Sequence, residues 1–144
     1  MNRFRIRPAK PTDAPLIAGV DSASGIAHAP HVPALVDELL KLGLSWVAEA
    51  DDGRLAGYAV VSRRFFSRPF LELLTVDPAF RREGVGIALV NQFAAAFGDE
   101  AAFTSTNQSN TPMQALLAEA GFEESGIIHN LDPGDPELVF AKLR

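Results

Sequence analysis

Six consecutive residues carry the strongest chemical signal in the chain: Arg81-Arg82-Glu83-Gly84-Val85-Gly86. An apolar, strand-like run from Leu71 to Val76 precedes them, and Asp77-Pro78 makes the turn that stops it. An apolar, helix-like run follows, from Ile87 to about Phe97. A strand, a glycine-containing turn and a helix start in this order form an anion site suited to a pyrophosphate. The first N–H groups of a helix lack partners, and the helix dipole places about half a positive charge beside them. Gly84 and Gly86 let the backbone approach a ligand without a Cβ in the way. Arg81 and Arg82 add charge that no backbone supplies.

Two commoner phosphate loops do not fit. The third glycine of a dinucleotide-binding turn would fall on Leu89. That turn also enters its helix directly from the strand, without Asp-Pro and two arginines between. The Gly-Lys-Ser/Thr of a nucleoside-triphosphate loop is absent.

Composition narrows the classes further. The 144 residues suit one domain, 1–144, with 47 % hydrophobic and 22 % charged residues, an ordinary globular balance. No apolar run approaches the roughly 20 residues of a membrane span, and the Met1-Asn2-Arg3-Phe4-Arg5 start leads into no signal-peptide core. Cytoplasm, with no membrane partner, is the expectation. There are no cysteines, which removes disulfides, thiolate metal sites and a cysteine acyl-enzyme. His28, His31 and His129 lack metal-ligand spacing, so no metal is expected. The net charge of −5 argues against nucleic acid, which requires a basic surface. Positive charge is local instead: Arg63-Arg64, Arg68 and Arg81-Arg82.

The elements that must position this loop follow from pattern. Phe4-Arg5-Ile6-Arg7 alternates as a half-buried strand does. Thr12 can cap a helix with Pro15 in its first turn and Leu16, Ile17 and Val20 on its apolar face. A loop from Ser22 to Pro33 leads to a second helix carrying Leu35, Val36, Leu39, Leu40 and Leu42. Leu44 to Glu49 and Leu55 to about Phe66 read as strands joined by the turn Asp51-Asp52-Gly53. Phe65, Phe66 and Phe70 are aromatic residues for turn packing, an acceptor pocket or a homodimer contact. Beyond the central helix come a short strand, Ala101 to Ser105, and a helix from Pro112 to about Ala120, ended by Gly121. Ser125 to Leu131 and Glu137 to Leu143 form the last hairpin around Asp132-Pro133-Gly134-Asp135-Pro136. It is a second place for a homodimer contact.

Two motifs in this frame resemble those of the GNAT superfamily of acetyl-CoA-dependent N-acetyltransferases. The first is Arg81-Arg82-Glu83-Gly84-Val85-Gly86, similar to that family's Arg-x-x-Gly-x-Gly, after Val76-Asp77-Pro78. The second is the run from Asn110 to Gly121-Phe122, with Asn at the helix start and Gly-Phe after its end. The resemblance covers nearly the whole chain. It implies an α/β (α+β) fold, a mixed and mostly antiparallel sheet with helices on both faces. The implied activity is transfer of an acetyl group from acetyl-CoA to a primary amine of a small molecule or protein. A non-catalytic acetyl-CoA sensor or interaction module on the same fold is the alternative.

The resemblance also implies site residues. The backbone of Leu74, Thr75 and Val76 would bind the pantetheine arm where the central strand splays from its neighbour. Arg81 to Gly86 would hold the pyrophosphate, and Asn110 would contact the pantetheine. A backbone N–H near Leu74 would polarise the thioester carbonyl. A lysine-type amine titrates near pH ~10.4, so freeing it at neutral pH costs about 4–5 kcal/mol, and a general base is needed. Glu72, a carboxylate inside an apolar strand, is the leading choice. An ion pair with Arg63, Arg64 or Arg68 is its alternative use, and His129 and Asp21 are further choices of base. His28 and His31 are candidate substrate contacts in the loop that borders the acceptor site in this family. Many relatives carry a tyrosine on the second motif's helix to protonate the thiolate; Leu117 stands there, and Tyr58 lies on another strand. Ser105, Thr106, Ser109 or water are left for that task. Asp132, Asp135 and Glu137 would attract a cationic acceptor or simply serve the turn.

Overall fold

The computed structural model describes residues 3–143, so Met1 and Asn2 of the chain start lie outside the described residues. A seven-stranded sheet runs in the order β1-β2-β3-β4-β5-β7-β6. Its strands are β1 (Phe4–Pro8), β2 (Trp46–Ala50), β3 (Leu55–Phe65), β4 (Arg68–Val76), β5 (Ala102–Asn107), β6 (Glu123–Ile128) and β7 (Glu137–Lys142). All pairings are antiparallel except β4 with β5. Helices α1 (Ala14–Ala23) and α2 (Val32–Leu40) pack on one face. On the other lie α3 (Val85–Ala95) and α4 (Thr111–Glu119). The mixed α/β architecture expected from the sequence is the one observed.

The sheet separates two apolar clusters because its inner strands alternate toward both faces. Ala56, Ala59 and Val61 pack with Val85, Leu89 and Phe93 beneath α3. Tyr58 and Val60 pack with Ile17, Val20 and Leu39 beneath α1 and α2.

Some boundaries move for local reasons. Thr12 does not cap α1; it sits in a short 3-10 turn, Pro11–Asp13. The carboxylate of the buried Asp13 ties that turn together, accepting the Lys10 N–H at 2.7 Å and two Arg7 bonds at 2.8 and 2.9 Å. Leu42 lies beyond α2 and is exposed. Helix α3 starts at Val85 rather than Ile87, since Gly84 with φ +82° is its N-cap. Strand β6 ends at Ile128, leaving His129 and Leu131 in the turn. Of the three aromatic residues, Phe65 and Phe70 pack at the β3–β4 turn, 5.0 Å apart with Phe65 5.4 Å from Phe103, centroid to centroid, whereas Phe66 is exposed.

Candidate active site

Strand β4 organises the site through two irregularities. Opposite β3, Val60 pairs with Leu73 and Val61 with Leu71, so Glu72 is the extra residue of a β-bulge. On its other edge β4 meets β5 only at Phe70–Phe103 and Leu71–Thr104. Beyond Leu71 the two parallel strands part. The gap is a cleft of about 240 Å³, walled by Leu71 to Thr75 on one side and Thr104, Ser105 and Thr106 on the other.

The ladder phase decides what β4 offers to this cleft. The Asp77 N–H donates to the Ala56 carbonyl at 2.8 Å, and antiparallel pairs alternate between bonded and non-bonded. Thr75 opposite Tyr58 and Leu73 opposite Val60 therefore have their backbone groups turned to β3. Those of Leu74 and Val76 face away from it, toward the splay. The Ser24 hydroxyl reaches the Val76 carbonyl from that side at 3.3 Å. Of the three residues expected to present backbone to a ligand, Leu74 and Val76 are oriented for it, whereas Thr75 is held in the ladder.

The glycine-containing turn stands at the end of the same strand. Asp77 Oδ1 accepts the Ala79 N–H at 2.8 Å and starts a 3-10 turn, Pro78–Phe80. Arg82 then takes φ +66° and Gly84 φ +82°, left-handed values that swing the chain into α3. The first bond of α3 runs from the Ala88 N–H to the Gly84 carbonyl at 3.1 Å. The N–H groups of Val85, Gly86 and Ile87 precede it and have no acceptor within the helix. Gly86 serves packing as well as approach, since a Cβ there would lie 3.3 Å from Leu116 of α4.

Charge around the turn is now sorted. Glu83 is turned aside by Arg3, whose Nε donates to it at 2.9 Å, so its backbone is what it leaves to the turn. Arg63 pairs with Glu100 at 2.6 Å and Arg64 with Glu72 at 3.2 Å. Arg81 and Arg82 are exposed and have no carboxylate partner among the described residues. Arg81 and Arg82 thus leave unpaired positive charge in the turn that leads to the free N–H groups of α3.

The other sequence-chosen residues divide. Glu72 lines the cleft, but its carboxylate accepts from Ser62 Oγ at 2.5 Å and from two Arg64 nitrogens at 3.2 Å each. The ion-pair use of this residue is therefore formed, with Arg64. Asn110 lines the cleft and caps α4, its Oδ1 accepting the Met113 N–H at 3.2 Å. Leu117 is fully buried in the core. Asp132, Asp135 and Glu137 accept from Asn107, Ser109 and Ser105 at 2.8, 2.6 and 2.7 Å, binding the last hairpin to the end of β5. Ser105 and Ser109 are thereby engaged, so that of the three hydroxyls expected from the sequence Thr106 is the one without a carboxylate partner. His31 precedes α2 and His129 follows β6, both outside the cleft wall, whereas His28 is part of it.

A comparison with protein families settles what this arrangement belongs to. Residues 23–122 match the family model described as the Acetyltransferase (GNAT) family. The chain belongs to the GNAT acetyltransferase family. Solved structures agree in fold across almost the entire chain. A GNAT-family acetyltransferase from Bacillus cereus ATCC 10987 is 29 % identical, with a TM-score of 0.86, covering 98 % of this chain and 99 % of that one. Nourseothricin acetyltransferase is 24 % identical with a TM-score of 0.71, covering 97 % and 98 %. A ribosomal-protein-alanine N-acetyltransferase from Escherichia coli is 19 % identical with a TM-score of 0.76, covering 96 % and 92 %. The last two carry the fold alone. An uncharacterized protein of Mycobacterium leprae (strain TN) is 33 % identical over 76 residues, 51 % of this chain; the chain spans only 21 % of that relative. Among the described residues no group of three or more His, Cys, Asp and Glu side chains could hold a metal ion. No helix of the described residues is long and apolar enough to cross a membrane.

One group of residues was visible in the sequence only in parts. Tyr58, Asp21, His28 and Thr75 are joined beneath the cleft wall. Two signals pointed there. Asp21 continues the α1 face of Ala14, Ile17 and Ala18, an acid on a core-facing stripe. Tyr58 sits inside an apolar strand, where its hydroxyl needs a partner.

Proposed function

We propose that residues 1–144 form one N-acetyltransferase domain, cytoplasmic and working without a metal. In this reading it transfers the acetyl group of acetyl-CoA to a primary amine by direct attack. The observation that carries this is the splay of β4 from β5 beyond Leu71, with Leu74 on the cleft wall and the α3 N-terminus following the end of the same strand. Val85 and Gly86 would meet the pyrophosphate with backbone N–H groups, Arg81 and Arg82 with charge, and Glu83 and Gly84 would shape the turn. The backbone of Leu74 and Val76 and the Asn110 side-chain amide would hold the pantetheine arm, with Thr75 fixed between them by the ladder. The Leu74 N–H would bind the thioester oxygen as negative charge develops on it, the preorganised donor that such a step requires. Acetyl-CoA supplies the activated acyl group, and the absence of cysteine leaves attack by the amine as the simplest route. The departing sulfur leaves as a tolerable thiolate, with a pKa of about 8.5 for its conjugate acid. Thr106 lies on the cleft wall to receive it. Two groups on that wall can take the amine's proton, Glu72 and His28.

Titration calorimetry with acetyl-CoA tests the donor half. The wild-type protein is expected to bind in the micromolar range. Arg82→Glu replaces an unpaired cation beside the helix N-terminus with an anion and should weaken binding about 10-fold or more, ~1.4 kcal/mol. No binding at millimolar acetyl-CoA would overturn the reading.

A further inference from the structure

Behind the cleft wall runs a chain of polar side chains that the donor site does not use. The Thr75 hydroxyl donates to Tyr58 Oη at 3.1 Å, and Tyr58 donates to Asp21 Oδ1 at 2.5 Å. The second carboxylate oxygen, Oδ2, lies 3.1 Å from His28 Nε2. The links come from β4, β3, α1 and the loop between α1 and α2. Tyr58 is fully buried in the apolar cluster beneath those helices. Burial first, and then the Asp21 carboxylate, push its phenol well above the ordinary tyrosine range. It stays a hydroxyl at neutral pH, and its role there is to hold Asp21 in place.

Both ends of this chain, Thr75 and His28, line the cleft, and His28 is the end that can take up a proton. Its Nε2 is buried and within ion-pair reach of Asp21, although the ring is turned off the line a hydrogen bond needs. Rotation of the ring would close that bond. The ring also borders a second, mostly apolar chamber of about 180 Å³ between α1 and α2, lined by Ala14, Ile17, Ala18, Val32 and Val36. A histidine with one nitrogen directed at a fixed carboxylate presents the other in a defined tautomer. Glu72 lacks that freedom, since Ser62 and Arg64 already occupy its carboxylate.

We propose that His28 is the general base of acetyl transfer, with Asp21 and Tyr58 as positioning residues. This rests on the transferase reading above. His28 Nδ1 takes one proton from the acceptor ammonium, directly or through one water. The freed nitrogen lone pair attacks the thioester carbonyl carbon; a C–N bond forms and the C–S bond breaks. Coenzyme A leaves as the thiolate and receives the second nitrogen proton, and His28 returns the first to solvent. The products are the amide, the thiol and one proton. Asp21 balances the imidazolium charge while it lasts. The ionisable groups around the ring are Asp21 from α1, Asp37 from α2, Glu72 from β4 and Tyr58 from β3; neither cavity lining contains a lysine or arginine.

The test uses two acceptors of similar size, ethylamine and trifluoroethylamine, followed by release of free thiol. The ammonium of the second is far more acidic, so at neutral pH it is already a free amine and needs no base. His28→Gln should lower kcat/KM for ethylamine about 100-fold or more and change that for trifluoroethylamine by less than about threefold, ~0.6 kcal/mol. Asp21→Asn should lower the ethylamine rate selectively and shift the nitrogen-15 ring signals of His28, which loss of fold stability alone does not do. Equal losses for the two amines would overturn the proposal. So would an unaffected His28→Gln with a selective loss in Glu72→Gln, which would assign the proton to Glu72. Calorimetry separates the levels: a wild-type protein that fails to bind acetyl-CoA removes the transferase reading itself. Binding and ethylamine turnover both intact in His28→Gln remove this inference alone.

Discussion

Gly57 is the point where the sheet and the donor turn leave each other least room. It lies in β3 opposite Val76, under the first turn of α3. A methyl group added there would sit 2.8 Å from the Thr75 carbonyl oxygen, 2.9 Å from Val85 Cγ1 and 3.3 Å from Leu89 Cδ1. The carbonyl cannot retreat freely, because Thr75 is bonded to Tyr58 in the ladder. Relief must come from α3, whose first residue is Val85. Gly57→Ala should therefore lift the helix start off the sheet and cost about 2–3 kcal/mol, the upper part of the overpacking range. For a domain of this size that is a fall in Tm of roughly 4–12 °C. Because the Val85 N–H belongs to the proposed anion site, acetyl-CoA affinity should fall about 10-fold in the same variant, ~1.4 kcal/mol. Gly19→Ala is the control. It lies in α1 with nothing within 4 Å of the added methyl, and helix propensity predicts a gain of about 0.5–1 kcal/mol with unchanged affinity. Thermal unfolding and calorimetry on the three proteins decide. A Gly57→Ala protein with wild-type Tm and affinity would refute the claim that this contact sets the position of the donor turn.

Three further outcomes follow from named contacts. Hydrogen bonds from Arg7 hold the Asp13 carboxyl below the usual carboxylate range. Its stabilisation is therefore complete above the unfolded value near pH ~3.9 and is lost as pH falls through the folded value. Asp13→Asn should cost about 3 kcal/mol at pH 7 and flatten the acid limb of a urea-stability profile; an unchanged limb would refute the assignment. Asp135→Ala removes the acceptor of the Ser109 N–H and hydroxyl, and should lower stability by about 1 kcal/mol in denaturant unfolding. Leu74→Pro deletes an N–H that the ladder does not use, so the protein should fold and lose turnover about 100-fold or more. Leu73→Pro deletes a ladder N–H and should unfold; equal folding defects in the two would refute the deduced strand phase.

The fold was legible because its elements are carried by period and punctuation. Pro8 and Pro11, Asp51-Asp52-Gly53, Asp77-Pro78 and Gly121 mark boundaries by local chemistry alone: β1 ends at Pro8, and turns begin or lie at the others. Misplaced ends have tertiary causes. Thr12 had the right chemistry for a cap, but Arg7, five residues earlier and on a strand, draws Asp13 into the role that ties the turn. The end of β6 is set by its pairing, Ile128 with Glu137, which composition near His129 does not reveal.

The two halves of the site differed in legibility for a related reason. The donor half is built from backbone: glycines, a helix start and a bulged strand, features that a local sequence motif specifies. Arg81 and Arg82 were separable from Arg63 and Arg64 only once Glu100 and Glu72 had taken the latter pair. The proposed acceptor half is built from side chains that meet across distant segments. Asp21, Tyr58 and Thr75 span 54 residues of chain between the first and last, yet share one line of hydrogen bonds. Each taken singly has an ordinary explanation: an acid at a helix end, a core aromatic, a polar strand residue. Their joint meaning depends on α1 lying over β3, a long-range contact that no local period encodes. Glu72 stood out in the sequence for the opposite reason, an isolated charge among leucines, and folding gave it Arg64. The proposed proton acceptor is therefore sought where a titratable ring on the cleft wall lies within reach of a carboxylate, and His28, 3.1 Å from Asp21, meets that description.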